Sequence, residues 1–213
     1  MVTETMRGVR ISLEVECGSE TCADFATPLL LQLSKGYETC SVLPMPESVE
    51  EWRSENRTAR KRANRALNLG YRFDEIRREE YERGVFEINL SKDTRQGRPM
   101  SRAYQERPNF LPLPDYPCER HAIRTYGVLS ARGELVAYLW LYRAGDLALV
   151  SSILGHGWHE KNDVMYLLTQ GAIDKQSHLG GYLVYNRHDS GTEGLRYFKT
   201  KLGFRPMEVA WAL

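Results

Sequence analysis

Residues 181–213 read GYLVYNRHDSGTEGLRYFKTKLGFRPMEVAWAL. Tyr182-Leu183-Val184-Tyr185 is an apolar run of strand length. The polar stretch 186–191 follows and ends in Gly191, as a loop does. Leu195, Phe198 and Leu202 then recur at helical spacing, so 193–202 is a short helix with one apolar face. Gly203 stands where a helix-terminating glycine belongs. Residues 204–206 turn the chain into a last strand over 207–213.

The region before this stretch has the pattern of an antiparallel meander. Strands are expected over 123–129, 135–141 and 147–154, joined by turns at 130–133 and at Gly145-Asp146. Residues 163–178 read as a helix with Val164, Leu167, Leu168 and Ala172 on one face and Asp163 as its N-cap. The predicted order is three antiparallel strands, helix, strand, helix, strand.

That order, together with the phrase Arg196-Tyr197-Phe198-Lys199-Thr200-Lys201-Leu202-Gly203-Phe204, resembles the GNAT acyltransferase fold over 123–213. The resemblance implies an α/β (α+β) chain with a mixed, mostly antiparallel sheet and helices on both faces. Many CoA-using members carry a tyrosine five residues before the closing phenylalanine, as general acid. Lys199 stands there instead, preceded by Phe198. A Phe-Lys pair is similar to the Fem peptidoglycan aminoacyltransferases and the arginyl and leucyl transferases, which take their acyl group from aminoacyl-tRNA. The implied activity is that of an N-acyltransferase, moving an acetyl, other acyl or aminoacyl group to an amine. Its co-substrate is acyl-CoA or aminoacyl-tRNA, with a tilt to the latter, and no tightly bound cofactor is expected.

The resemblance also suggests where chemistry sits. In such folds the donor meets backbone amides at a helix N-terminus, which carries unpaired N–H groups and positive dipole. Here that loop supplies Gly155, His156, Gly157, Lys161 and Asn162 as donor-binding candidates. It lacks the leading Arg or Gln of CoA-binding members, so a plain glycine-bearing turn is the competing reading. Lys199 is the candidate for stabilising an oxyanion or leaving group. A surface lysine on an amphipathic helix is its alternative. His188 is the candidate proton acceptor at neutral pH, against an ordinary loop histidine. Tyr185 joins the catalytic set, with Asn186 and Tyr197 as secondary candidates. His156 and His159 have no third ligand at metal spacing, so no metal is expected. No nucleophile elbow or P-loop points to a hydrolase or an NTPase.

The N-terminal half is read as an elaboration over 1–45 and an integrated segment over 46–120, ahead of a core over 121–213, all in one domain. Alternation predicts a strand over 9–15, and 28–33 is a short apolar run. Ser48 and Glu51 fit a capping box opening a helix over 48–69. Its inner face carries Ala59, Ala63, Ala66 and Leu67. Its outer face carries Arg57, Arg60, Lys61, Arg62 and Arg65. That face is either solvated or a phosphate-tracking surface, with tRNA or another nucleic acid bound through 53–65. A strand over 71–76 and a helix over 77–90 follow. The loop 91–100 offers Arg95 and Arg98 to an acceptor or a phosphate, or to structural ion pairs. Prolines 108, 112, 114 and 117 mark an extended linker. A second function stays open: a GNAT scaffold that binds nucleic acid without catalysis, or an acyltransferase acting on a nucleic-acid base.

Composition bounds these readings. At 42% hydrophobic and 27% charged residues, the 213-residue chain can bury a core. A net charge of +1 means that any polyanion must meet a local patch. The four cysteines form no CxxC pair, which favours free thiols over a Cys17–Cys22 bridge. With no signal-like start and no apolar run near the ~20 residues of a span, a cytoplasmic protein without membrane contact is expected.

Overall fold

The computed structural model describes residues 8–12, 39–95, 97–116, 118–188 and 191–212. The expected strand residues 13–15, the apolar run 28–33 and the cysteines Cys17 and Cys22 lie outside them.

The C-terminal meander forms as its pattern requires. Strands β6 (His121–Leu129), β7 (Leu135–Ala144) and β8 (Leu147–Gly155) pair antiparallel in sequence order. Helix α5 (Val164–Gln176) then crosses to β9 (Tyr182–Arg187), which lies parallel to β8. Helix α6 (Glu193–Lys201) leads to β10 (Arg205–Ala212). Thr192 caps α6 by accepting from the Leu195 amide, and Gly203 takes a φ of 89° at the helix exit.

The eight-stranded sheet has the order β1-β10-β2-β9-β8-β7-β6-β3, where β1 is Gly8–Ser12, β2 is Thr39–Pro44 and β3 is Arg72–Glu75. Strands from all three expected segments therefore lie in one sheet. The insertion of β2 between β9 and β10 was not foreseen from the sequence. Cys40, Ser41, Val42 and Leu43 are all buried, so the strand has no polar face to alternate with its apolar one.

Helices cover both faces. The predicted helix over 48–69 is two: α1 (Val49–Glu55) and α2 (Arg57–Asn68), broken at Asn56. Ala59, Ala63 and Ala66 are fully buried and let α2 pack closely on α5. Leu67, expected beside them, is exposed. Trp52 donates its indole N–H to the Leu202 carbonyl at 3.2 Å, fastening α1 to the end of α6. Helix α5 is buried almost all round, and a Cβ on Gly171 would come within 2.3 Å of the Phe73 ring. On the other face α3 (Glu82–Leu90) packs Val85 and Ile88 among Leu129, Tyr138 and Leu154. The start of its predicted span is instead a 3-10 turn, Arg78–Tyr81. Loop 91–100 closes as a small hairpin of β4 (Thr94–Arg95) and β5 (Arg98–Pro99), and a short helix α4 (Arg102–Gln105) follows. Among the described residues no helix is long and apolar enough to cross a membrane.

Candidate active site

The site begins where a strand pair ends. β8 and β9 share three register pairs, Leu147 with Tyr182 through Leu149 with Val184. β8 then continues to Gly155 without β9 beside it. A cleft of about 470 Å³ lies at this divergence. Its walls come from the end of β8 (Ile153–Gly155), the start of α5 (Asp163, Tyr166), Tyr185 of β9 and the first turns of α6. The β4–β5 hairpin contributes Thr94, Arg95 and Gly97, and Arg62 of α2 completes the rim.

Charge in the cleft is largely paired. Asp163 is buried, and its carboxylate accepts from Arg62 at 3.2 Å and from Arg65 at 2.8 Å. Asp163 stands at the expected N-cap position of α5, but its side chain caps no amide, and its backbone is left-handed at φ 63°. Glu160 pairs with Lys92 across the cleft. The Arg62 guanidinium also lies 5.1 Å from the centre of the Tyr166 ring.

Tyr185 is buried in the cleft wall, and burial pushes its phenol well above the ordinary tyrosine value. It therefore stays protonated and able to donate. Lys199 is fully buried behind it, with Nζ 4.9 Å from the Tyr185 ring centre. Lys199 is not on a solvated helix face, and it is also not among the side chains lining the cleft. His188 turns to β2, with Nδ1 3.1 Å from the Ser41 hydroxyl, and it too is not among the cleft-lining residues. Tyr197 lines the cleft, and the side chain of Asn186 is outside the described set.

The donor-loop candidates scatter. Gly155 lines the cleft, and a Cβ there would sit 2.6 Å from Met165 Sδ. The Gly157 amide is already donated to Ser91 Oγ at 2.9 Å. His156 Nδ1 accepts from the Trp158 amide, and Asn162 donates to the Tyr71 hydroxyl at 2.8 Å. Lys161 Nζ lies 4.0 Å from the Trp158 ring centre. His159 meets Tyr71 at 2.7 Å, and burial followed by the nearby His156 lowers its pKa.

The cationic candidates divide as well. Arg95 lines the cleft, contacts the Tyr104 hydroxyl and donates to the Ile153 carbonyl at 3.4 Å. Arg98 is exposed outside the lining, Arg57 and Arg60 are exposed on α2, and Arg65 is tied to Asp163. Arg62, read in the sequence only as part of the basic face, is the member that reaches the cleft. Glu160 and Tyr166 were missed, because no local motif marks residues whose role depends on facing α2 and the hairpin.

The same architecture occurs in solved structures. FemX superposes with a TM-score of 0.61 at 13% identity, over 91% of this chain and 68% of that one. The C-terminal domain of a putative lysylphosphatidylglycerol synthetase from Agrobacterium fabrum superposes at 0.51 and 12% identity, over 84% of this chain and 63% of that one. The fold is thus GNAT-like, mixed and mostly antiparallel. No family model matches the chain, and no curated protein matches it.

Proposed function

We propose that the cleft between β8 and β9 transfers an aminoacyl group from a tRNA ester to an amine. The observation that carries this reading is the parting of the two strands around Tyr185, with Lys199 packed directly behind it. The acceptor nitrogen forms a bond to the ester carbonyl carbon, the carbon–oxygen ester bond breaks, and the nitrogen's proton ends on the departing ribose oxygen. Tyr185, kept protonated by burial, donates a hydrogen bond to the transient oxyanion or the leaving oxygen. Lys199 acts through the Tyr185 ring and the local potential.

Two features favour a tRNA donor over acyl-CoA. A carboxylate, Asp163, stands at the N-terminus of α5, where an incoming pyrophosphate would meet it. The Gly157 amide, which could have met an anion, is occupied. By contrast, Arg62 joins the exposed cations of α2 to the cleft rim, a graded path for a polyanion whose reactive end enters the cleft.

The test is direct. The protein is incubated with radiolabelled aminoacyl-tRNA or acetyl-CoA and an amine acceptor, and its melting temperature is followed with each donor. Amine-dependent loss of label from the tRNA supports the proposal. A thermal shift and turnover with acetyl-CoA alone redirects the donor, and no response to either removes the transferase reading. The position of Lys199 behind the lining favours one rival, a nucleic-acid-binding scaffold without catalysis. That rival predicts tRNA binding with no turnover.

A further inference from the structure

Trp158 is 69% exposed on the turn that joins β8 to α5, between Gly155 and Glu160, which both line the cleft. The turn is held from within. The His156 amide donates to the Val136 carbonyl at 2.8 Å, the His159 amide to the His156 carbonyl at 2.9 Å, and the Gly157 amide to Ser91 Oγ. A Cβ on Gly157 would sit 2.8 Å from the Ser91 carbonyl oxygen, so glycine permits this close seating. A fixed backbone thus presents a large apolar ring to solvent on a turn flanked by two cleft-lining residues.

The ring's surroundings are cationic. Lys161 lies against it, and Arg65 donates to the Lys161 carbonyl at 3.1 Å, connecting the turn to the basic face of α2. An exposed indole beside ammonium and guanidinium groups suits a flat, π-faced, polyanionic ligand, and unpaired nucleotides have that chemistry. A thioester donor's pyrophosphate gains little here, because the nearest helix start carries Asp163.

We propose that Trp158 is a stacking platform for an unpaired nucleobase in the single-stranded 3′ tail of the donor RNA, beside the cleft that takes the aminoacyl end. This rests on the tRNA reading above. It adds that the turn recognises a base by its face, where a donor loop of this fold was expected to bind an anion.

The experiment measures binding of uncharged tRNA and of the same tRNA trimmed of its unpaired 3′ nucleotides, for wild type, Trp158→Ala and Trp158→Phe. Removing one stacked base contact weakens intact tRNA about 5- to 100-fold in the alanine variant. Trimmed tRNA binds both proteins alike, and Trp158→Phe, which keeps a stacking face, recovers most of the loss. Equal effects on intact and trimmed tRNA, no effect on either, or a phenylalanine variant as weak as alanine overturns the stacking role and leaves the tRNA reading standing. Failure of wild type to bind either RNA overturns both.

Discussion

β6 and β7 stay paired through nine register partners, from His121 to Leu129, whereas β8 and β9 share three and then part. The first pair is a hairpin, closed locally by the turn at Gly133. The second is parallel and has α5 as its crossover. Where β9 leaves β8, other groups line the gap: Tyr185 from the departing strand, Arg95 from the β4–β5 hairpin and Arg62 from α2. The zipped pair builds core and the parted pair builds a cavity. The fold gets its cleft from an interrupted ladder in an otherwise continuous sheet.

The harshest way to break this contrast is at the joined end of the parted pair. Gly181 has φ 76°, and a Cβ there would lie 2.2 Å from the Asp146 carbonyl oxygen. Gly181→Val combines left-handed strain with a backbone clash and should cost about 2–5 kcal/mol. Denaturant unfolding reads this as a fall in midpoint, and an unchanged midpoint shows that the anchor is elsewhere.

The next test concerns the open end. Lys199→Met keeps the unbranched aliphatic stem, one atom shorter, and removes the amine from a fully buried position. Transfer should fall about 100- to 1,000-fold, and stability should fall as well, since Lys199 has contacts of its own and deleting one member of a buried polar contact leaves the other unsatisfied. Stopped-time transfer assays beside thermal melts separate the two effects, and full activity in the variant removes Lys199 from the mechanism.

Tyr185→Phe keeps the ring and deletes the donor. We expect roughly a 100- to 1,000-fold loss of rate with melting behaviour unchanged. Because burial raises the phenol, the wild-type rate should show no deprotonation limb from this group up to about pH 10. A limb below that pH which vanishes in the phenylalanine variant contradicts the raised phenol, and unchanged transfer in that variant contradicts the donor role.

The smallest expected effect sharpens the donor assignment. Arg62 and Arg65 are 44% and 57% exposed, so solvent screens their pairing with Asp163. Asp163→Asn should therefore cost only about 1 kcal/mol. It also frees positive charge at the start of α5, so acetyl-CoA should gain affinity in calorimetry. Unaltered affinity shows that Asp163 does not guard that helix end.

Much of the C-terminal fold was legible because its signals are local. Leu195, Phe198 and Leu202 mark the face of α6 that packs on the core, and Gly203 ends it. The alanines of α2 were legible as an inner face for the same reason. β2 was not, since Thr39–Pro44 is short, buried on both sides and paired with strands far along the chain. The site was only partly legible. Tyr185 could be placed on its strand, but the positions of Arg62 and Glu160 at the cleft depend on partners about a hundred and about seventy residues away in sequence.

The sequence by itself determined the meander, the crossover helix and the closing helix–glycine–strand unit, because apolar periodicity and turn residues act within a few positions. Tertiary structure alone decided that an N-terminal strand enters between the last two, that a carboxylate and two guanidiniums meet at the start of α5, and that Lys199 lies behind Tyr185. Those outcomes depend on which distant surfaces are pressed together, and on how buried charge and unpaired backbone find partners there.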